Sequence, residues 1–304
     1  MNWIPVFRRM TIYINYRRKE TDMKEFEFAQ GSMTGREHRR VGKNNQDACE
    51  VIMGDDFIIA TVCDGCSDAK ASEVGANLIC RMLNARMAEN IQRLADELAL
   101  AENAEKVIGN YLENLRVACI DDIIAVCMKL NANYLVGIKD FFLSTVVSVI
   151  VTREIAFIAC IGDGVIVVNG EPYQIGPFPD NEPPYIAYGA VDPAKVRVAK
   201  ELYRFNLVKI LPSADLNSVL IGSDGVEDII SHEFSNIPGK DENVGNISQF
   251  WDNPKFFSNV SLLSRKLNLF NTDSMRIDWE TKRIKREPGL LPDDTTMVVV
   301  RRKA

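Results

Sequence analysis

TVVSVIVTREIAFIACIGDGVIVV, residues 145–168, is the stretch whose reading decides the fold. It divides into three short runs of β-branched and apolar residues, 145–151, 155–161 and 165–168, parted by Thr152-Arg153-Glu154 and by Gly162-Asp163-Gly164. Such runs, bounded by turn-forming residues, read as strands. Gaps this short leave no room for a crossover helix, so successive antiparallel strands are predicted.

Upstream the period changes. Val74, Leu78, Ile79, Met82 and Leu83 fall at helical spacing behind Ser72-Glu73, a suitable helix start, and predict a helix from residue 72 to about 91. A second helix is predicted from about 104 to 130, where Ile108, Leu112, Leu115, Ile120, Ile123, Ile124 and Cys127 recur with few helix breakers. Farther out, Phe26 and Phe28 alternate with Glu25 and Glu27, so a strand and the domain begin at Lys24. Further strands are predicted at 57–63, 219–222 and 296–301, and one helix at 254–268 inside the otherwise polar, mixed segment 236–292. Proline-rich residues 170–194 read as an irregular surface loop, the core of a flap over about 170–200. Together these elements predict an α+β domain over residues 24–304, with sheets packed on each other and helices outside.

Residues 1–23 form a basic extension, either disordered or a mispredicted start; Arg8, Arg9, Arg17 and Arg18 interrupt its apolar runs before signal-peptide length. The 304 residues are 46% apolar and 26% charged, enough for a sizeable core. A net charge of −6 argues against a general binder of nucleic acid or anionic membrane. Seven scattered cysteines suggest no disulfide framework, and a reducing, cytoplasmic setting follows. Cys63 and Cys66 form a lone C-x-x-C, but with only two histidines in the chain it reads as core or loop thiols rather than zinc ligands. Arg153 and Glu154 break the longest apolar region, so a soluble chain without a membrane span is expected.

Acidic motifs recur at the predicted strand ends: NQDA (45–48), VCDG (62–65), GSDG (222–225) and LPDDTT (291–296). Any one Asp-Gly is as readily a tight turn. Four bordering apolar strands point instead to a hard, all-oxygen cation site, because clustered carboxylates without cations repel one another. Such a site selects Mg²⁺ or Mn²⁺ over zinc.

In order and text these motifs, with GDG at 162–164, resemble the metal-dependent protein phosphatases of type 2C, in particular a bacterial subgroup, over about residues 28–302. The resemblance implies an antiparallel β-sandwich flanked by helices, a four-layer α-β-β-α arrangement, and hydrolysis of phosphoserine or phosphothreonine in a protein substrate, with a cognate kinase as a further partner. It implies that Asp64 bridges two metals, Mn²⁺ or Mg²⁺, that the Gly65 carbonyl binds one of them, and that Asp224 and Asp293 complete the other. Asp47 would bind metal or its waters, and Asp64 and Asp224 carry the catalytic role. Asp163 matches a position that supports a third, weaker metal in some relatives, and is equally a hairpin turn. The implied chemistry is in-line attack by a water bridging the metals, with no phosphoenzyme.

Two departures stand out. Cys66-Ser67-Asp68 follows Asp64-Gly65 where many relatives have a histidine or methionine, and Gly42 occupies the place of the phosphate-gripping arginine. The upstream Gly35-Arg36-Glu37-His38 resembles the Gly-x-x-His of the bacterial subgroup, leaving His38, Arg39, Arg40 or Lys43 to contact phosphate; a solvated basic loop is the alternative. His232 reads as a surface or capping residue. A catalytically weak phosphoprotein-binding regulator and a small-metabolite phosphohydrolase remain as rival functions.

Overall fold

The computed structural model describes residues 22–130, 133–176, 178 and 182–303. The three runs at 145–168 are strands β4 (Val146–Thr152), β5 (Ile155–Ile161) and β6 (Val165–Val168), but they do not share one sheet. β4 and β5 pair antiparallel, Val146 opposite Ile161. Gly162 and Gly164 then take φ of +88° and +136°, a corner that turns the chain across to a second sheet instead of back along β5.

The first sheet has the order β2-β3-β4-β5-β8, with β2 at Ala48–Met53, β3 at Phe57–Cys63 and β8 at Asn206–Pro212. The second has the order β1-β12-β9-β6-β7, with β1 at Phe26–Met33, β7 at Glu171–Tyr173, β9 at Ser218–Gly222 and β12 at Thr295–Arg302. Neighbouring strands in both sheets run antiparallel.

Three buried clusters define four layers. Between the sheets, Ile58, Val149 and Ile158 of the first meet Ile166, Ile221 and Val298 of the second. On the far side of the first sheet, Ile59, Ile150 and Phe157 pack against Ile79, Leu83, Ile108 and Leu112 of the long helices α2 (Ser72–Ala99) and α3 (Ala104–Leu130). Beyond the second sheet, Leu220, Met297 and Val299 pack against Phe250, Leu263 and Leu267, from α6 (Gln249–Asp252) and α8 (Leu262–Phe270). The central strands are therefore buried on both faces, which is why β4 and β5 read as near-continuous apolar runs. Each such side chain contributes roughly 1.5–3 kcal/mol of burial.

The sequence reading needs correction in several places. α2 runs on to Ala99 because Ile91, Leu94 and Leu98 continue its buried stripe. The helix expected at 254–268 is two, α7 (Lys255–Ser258) and α8, parted at Asn259-Val260-Ser261. The basic segment upstream of NQDA is a short helix, α1 (Arg36–Val41), and another, α5 (Gly225–Ser231), follows Asp224. A hairpin of β10 (Ser274–Asp278) and β11 (Arg283–Glu287) occupies part of the mixed segment. The flap is not wholly superficial: Ile186 and Ala187 are buried in the cluster that α3 shares. Met23, assigned to the extension, is buried with Phe26 in the cluster between the sheets, and residues 1–21 lie outside the described residues. No described helix is long and apolar enough to cross a membrane.

Candidate active site

Strand register brings the acidic motifs to one end of the sandwich. Ala48 pairs with Cys63, so Asp47 enters β2 beside the point where Asp64 leaves β3. Gly222 pairs with both Met297 and Val165, so Asp224, the Asp293-Asp294 pair and Asp163 border adjacent strands of the other sheet. Polar bonds cross between the sheets at this end. The Ser223 hydroxyl donates to Asp47 Oδ2 at 2.7 Å and accepts from the Thr296 amide at 3.1 Å, and the Gln46 amide donates to Asp294 Oδ2. Gly65 is held by its N–H to the Gln46 carbonyl, and a Cβ there would stand 2.7 Å from that oxygen, closer than van der Waals contact allows.

The carboxylates crowd one another. Burial pushes Asp47 up to about 8, the charges of Asp294 and Asp224 add to this, and the Ser223 hydroxyl opposes it. Asp64 is raised well above the carboxylate range, first by burial, then by the charges of Asp47 and Asp224. Asp224 is raised by burial and by Asp293, against the hydrogen bond from Asp64 that lowers it. Asp163 reaches about 6 through burial and the charge of Asp224, and Asp228 is also raised, chiefly by burial. Asp47 is 5% exposed, and its Oδ1 is buried without a hydrogen-bond partner. An orphaned carboxylate oxygen amid mutually repelling acids fits a hard divalent cation, because cations would satisfy the oxygen and neutralise the crowd together.

A second grouping lies alongside. Helix α1 begins where the Arg36 and Glu37 amides donate to the carbonyls of Leu291 and Pro292 and the Gly35 amide donates to Asp294 Oδ1 at 2.7 Å. This sets His38 Nδ1 3.0 Å from Asp294 Oδ2 and 3.7 Å from Asp293 Oδ1. The ring nitrogen makes no hydrogen bond there. One ligand atom from each of His38, Asp293 and Asp294 lies within 4.8 Å of the others, the tightest convergence of such groups among the described residues. The Asp47, Asp64 and Asp224 side chains are more widely spread. Asp294 already accepts two backbone amides, one on each oxygen, which suits it to clamping α1 to the NQDA segment.

Of the residues expected to hold phosphate, His38 alone faces the acidic cluster. Arg39 donates to the Asn271 carbonyl at 2.5 Å, Arg40 pairs with Glu37, and Lys43 reaches the Ser67 carbonyl at 2.5 Å, beside the loop that follows Gly65. Gly42 ends α1 in the left-handed region, φ +72°. His232 caps α5, its Nδ1 2.7 Å from the Asp228 carbonyl, and Cys63 and Cys66 are free thiols. Sequence reasoning assigned no role to Asp294, Ser223 or Asp228. The first two sat inside quoted motifs, and Asp228 follows Asp224 by one helical turn, a spacing that put it within reach.

Comparison with known proteins agrees with this architecture. The family description Protein phosphatase 2C matches residues 34–262. Crystal structures of a bacterial serine phosphatase bearing arginine-to-alanine and arginine-to-glutamate substitutions superpose with TM-scores of 0.51 and 0.52 at 18% and 19% identity. They cover 94% and 91% of this chain and 100% and 99% of those chains. The serine/threonine phosphatase Stp1 from Staphylococcus aureus matches at 15% identity and a TM-score of 0.47, over 96% of this chain and 100% of that one. No curated protein matches. With three quarters of its length matched by one family and its acidic motifs gathered at one end of a four-layer sandwich, the chain belongs to the protein phosphatase 2C family.

Proposed function

We propose that this chain is an Mn²⁺- or Mg²⁺-dependent protein phosphatase that removes phosphate from serine or threonine of a protein substrate in the cytoplasm, opposite a cognate kinase. The observation that carries the reading is the buried, unpartnered Oδ1 of Asp47 within a set of carboxylates raised by burial and, after it, by one another's charge. Asp64, Asp224, Asp293 and the Gly65 carbonyl would hold two cations, Asp47 would bind metal or its waters, and Asp163 would contribute to a third. Bound there, such cations lower the pKa of a water and neutralise charge on a phosphoryl group. The chain's own residues do the rest. Asp47 is oriented by the Ser223 hydroxyl, and Asp294 holds α1 so that His38 faces Asp293. Neither Cys66 nor Ser67 is needed as a nucleophile, since direct attack by water forms no phosphoenzyme. The flap at about 170–200 shapes access to the cleft, and residues 24–304 act as one catalytic domain.

The test is hydrolysis of p-nitrophenyl phosphate with Mn²⁺. Activity should vanish on chelation and in Asp64→Asn; activity indifferent to both would reject the reading. Gly42 in place of the arginine favours a second reading, a phosphoprotein-binding regulator of the same fold. Tight binding of a phosphopeptide without turnover at saturating Mn²⁺ would select it, and turnover of small phosphate esters but not phosphopeptides would select a metabolite phosphohydrolase.

A further inference from the structure

The β10–β11 hairpin stands outside the four layers and beyond the residues matched by the family description. Its register places Ile277 opposite Ile284 and Met275 opposite Arg286, so one face carries Met275, Ile277 and Ile284, with Trp279 at the tip. These four side chains are 68%, 54%, 64% and 79% exposed. An isolated two-stranded hairpin is marginally stable in water, and this one presents its apolar residues to solvent in a contiguous stripe.

Charge surrounds the stripe unevenly. Asp278 spends an oxygen on the turn amides of Glu280 and Thr281, and Glu287 accepts the Gly239 amide and pairs with Lys285. The hairpin still carries five cations, Arg276, Lys282, Arg283, Lys285 and Arg286, against Asp278, Glu280 and Glu287, so it is net positive on a chain of net charge −6. A second copy of the same face would meet it with like charge, whereas an acidic polypeptide complements it.

The hairpin is also fixed relative to the acidic cluster. Arg36 donates to the Gly289 carbonyl at 2.6 Å, Arg39 to the Asn271 carbonyl, and the Gly289 amide donates to Asp273 at 2.9 Å. The base of the hairpin is thereby tied to α1, the helix whose His38 faces Asp293, and Asp293 itself lies four residues past Gly289.

We infer that the β10–β11 hairpin is a docking arm for an acidic stretch with apolar side chains on the phosphoprotein substrate, engaged away from the phosphorylated residue; this rests on the phosphatase reading above. Such contacts are the same in ground and transition states, so they act on KM and leave kcat alone.

The test compares wild type with Ile277→Ser/Ile284→Ser and with Arg283→Glu/Arg286→Glu, all surface changes. Phosphorylated casein serves as an acidic protein substrate and p-nitrophenyl phosphate as one too small to reach the arm. Both variants should raise KM for phosphocasein at least about fivefold, with kcat and all constants for the aryl phosphate unchanged. Binding of phosphocasein by fluorescence anisotropy in EDTA, which needs no turnover, should weaken by a similar factor. If wild type hydrolyses neither substrate, the phosphatase reading fails, and the anisotropy still decides the arm. Unchanged phosphocasein binding overturns the inference. So does a variant effect seen equally with the aryl phosphate, a dimer that the variants dissociate, or loss of binding to anionic lipid vesicles without loss of phosphocasein binding.

Discussion

Asp47→Asn should stabilise the cation-free protein and weaken the cation-loaded one, so the sign of one substitution should reverse with the buffer. Burial holds the Asp47 carboxyl up to about 8 against an ordinary 3.8. Because the folded value is raised, the folded chain keeps a proton that the unfolded chain has released. Stability is therefore greatest below about pH 4, falls as pH rises toward about 8 and levels off beyond. One such group costs about 1.4 kcal/mol per pH unit in that window, so Asp47 alone removes roughly 3 kcal/mol between about pH 5 and about pH 7.5. Asp64, also held high by burial and by its neighbours, steepens the fall. At about pH 8 the amide relieves on the order of 5 kcal/mol and gives back about 1–3 kcal/mol for a buried NH₂ lacking a partner. The net gain of about 2–4 kcal/mol corresponds to several degrees of Tm in a chain of this size. With Mn²⁺ the variant offers a neutral amide in place of a carboxylate, and the metal-induced rise in stability should shrink. Urea unfolding followed by circular dichroism, in EDTA and in Mn²⁺ across this pH range, measures all of it. Wild-type stability in EDTA that is flat or rising with pH, or a variant less stable than wild type in EDTA at about pH 8, would refute the reasoning.

Ser223→Ala removes a donor to Asp47 and an acceptor for the Thr296 amide, both buried, and should cost roughly 2–3 kcal/mol in urea unfolding. Gly225→Ala places a Cβ 2.1 Å from the Asp294 carbonyl oxygen and should lose about 1–3 kcal/mol by the same measurement, with a matching loss of phosphatase activity. Cys66→Ser should leave aryl phosphate turnover within about twofold in steady-state assays, as expected where water attacks phosphorus directly. Arg39→Ala should cost about 1 kcal/mol through the lost bond to the Asn271 carbonyl and leave KM for the aryl phosphate within about twofold; a tenfold rise in KM would restore a phosphate-holding role.

The central strands were legible because burial on both faces makes Val146–Thr152 and Ile155–Ile161 near-continuous apolar runs, short, β-branched and bounded by turn residues. β2 escaped notice because Glu50 interrupts it, and the backbone carbonyl of that residue is held by the Asn84 side chain of α2, a partner no local pattern reveals. The β10–β11 hairpin was passed over although Met275, Ile277 and Trp279 alternate with Arg276 and Asp278, because the run is short and lies among charged residues. At the site, Asp64, Asp163 and Asp224 were recognisable as polar residues after apolar strands and Asp293 as one before a strand, whereas Asp47 borders the strand that escaped notice. What each would face was not legible. Asp294 holds the amides of Gly35 and Gln46, 259 and 248 positions away, so its work exists only after both sheets have closed.

The same distinction explains the basic segment Gly35-Arg36-Glu37-His38-Arg39-Arg40-Val41-Gly42-Lys43. Its composition suggested phosphate ligands, yet composition says only that donors are present, not where they are used. Folding spends Arg36, Arg39 and Lys43 on the carbonyls of Gly289, Asn271 and Ser67, which fastens α1 to the hairpin base on one side and to the loop after Gly65 on the other. A guanidinium bound to a neutral carbonyl keeps its charge, so these side chains still make the rim positive while serving as struts. Of the basic side chains of this segment, His38 alone contacts the acidic cluster. On the phosphatase reading, cations held by the aspartates would supply the grip that the family resemblance assigns to an arginine at position 42.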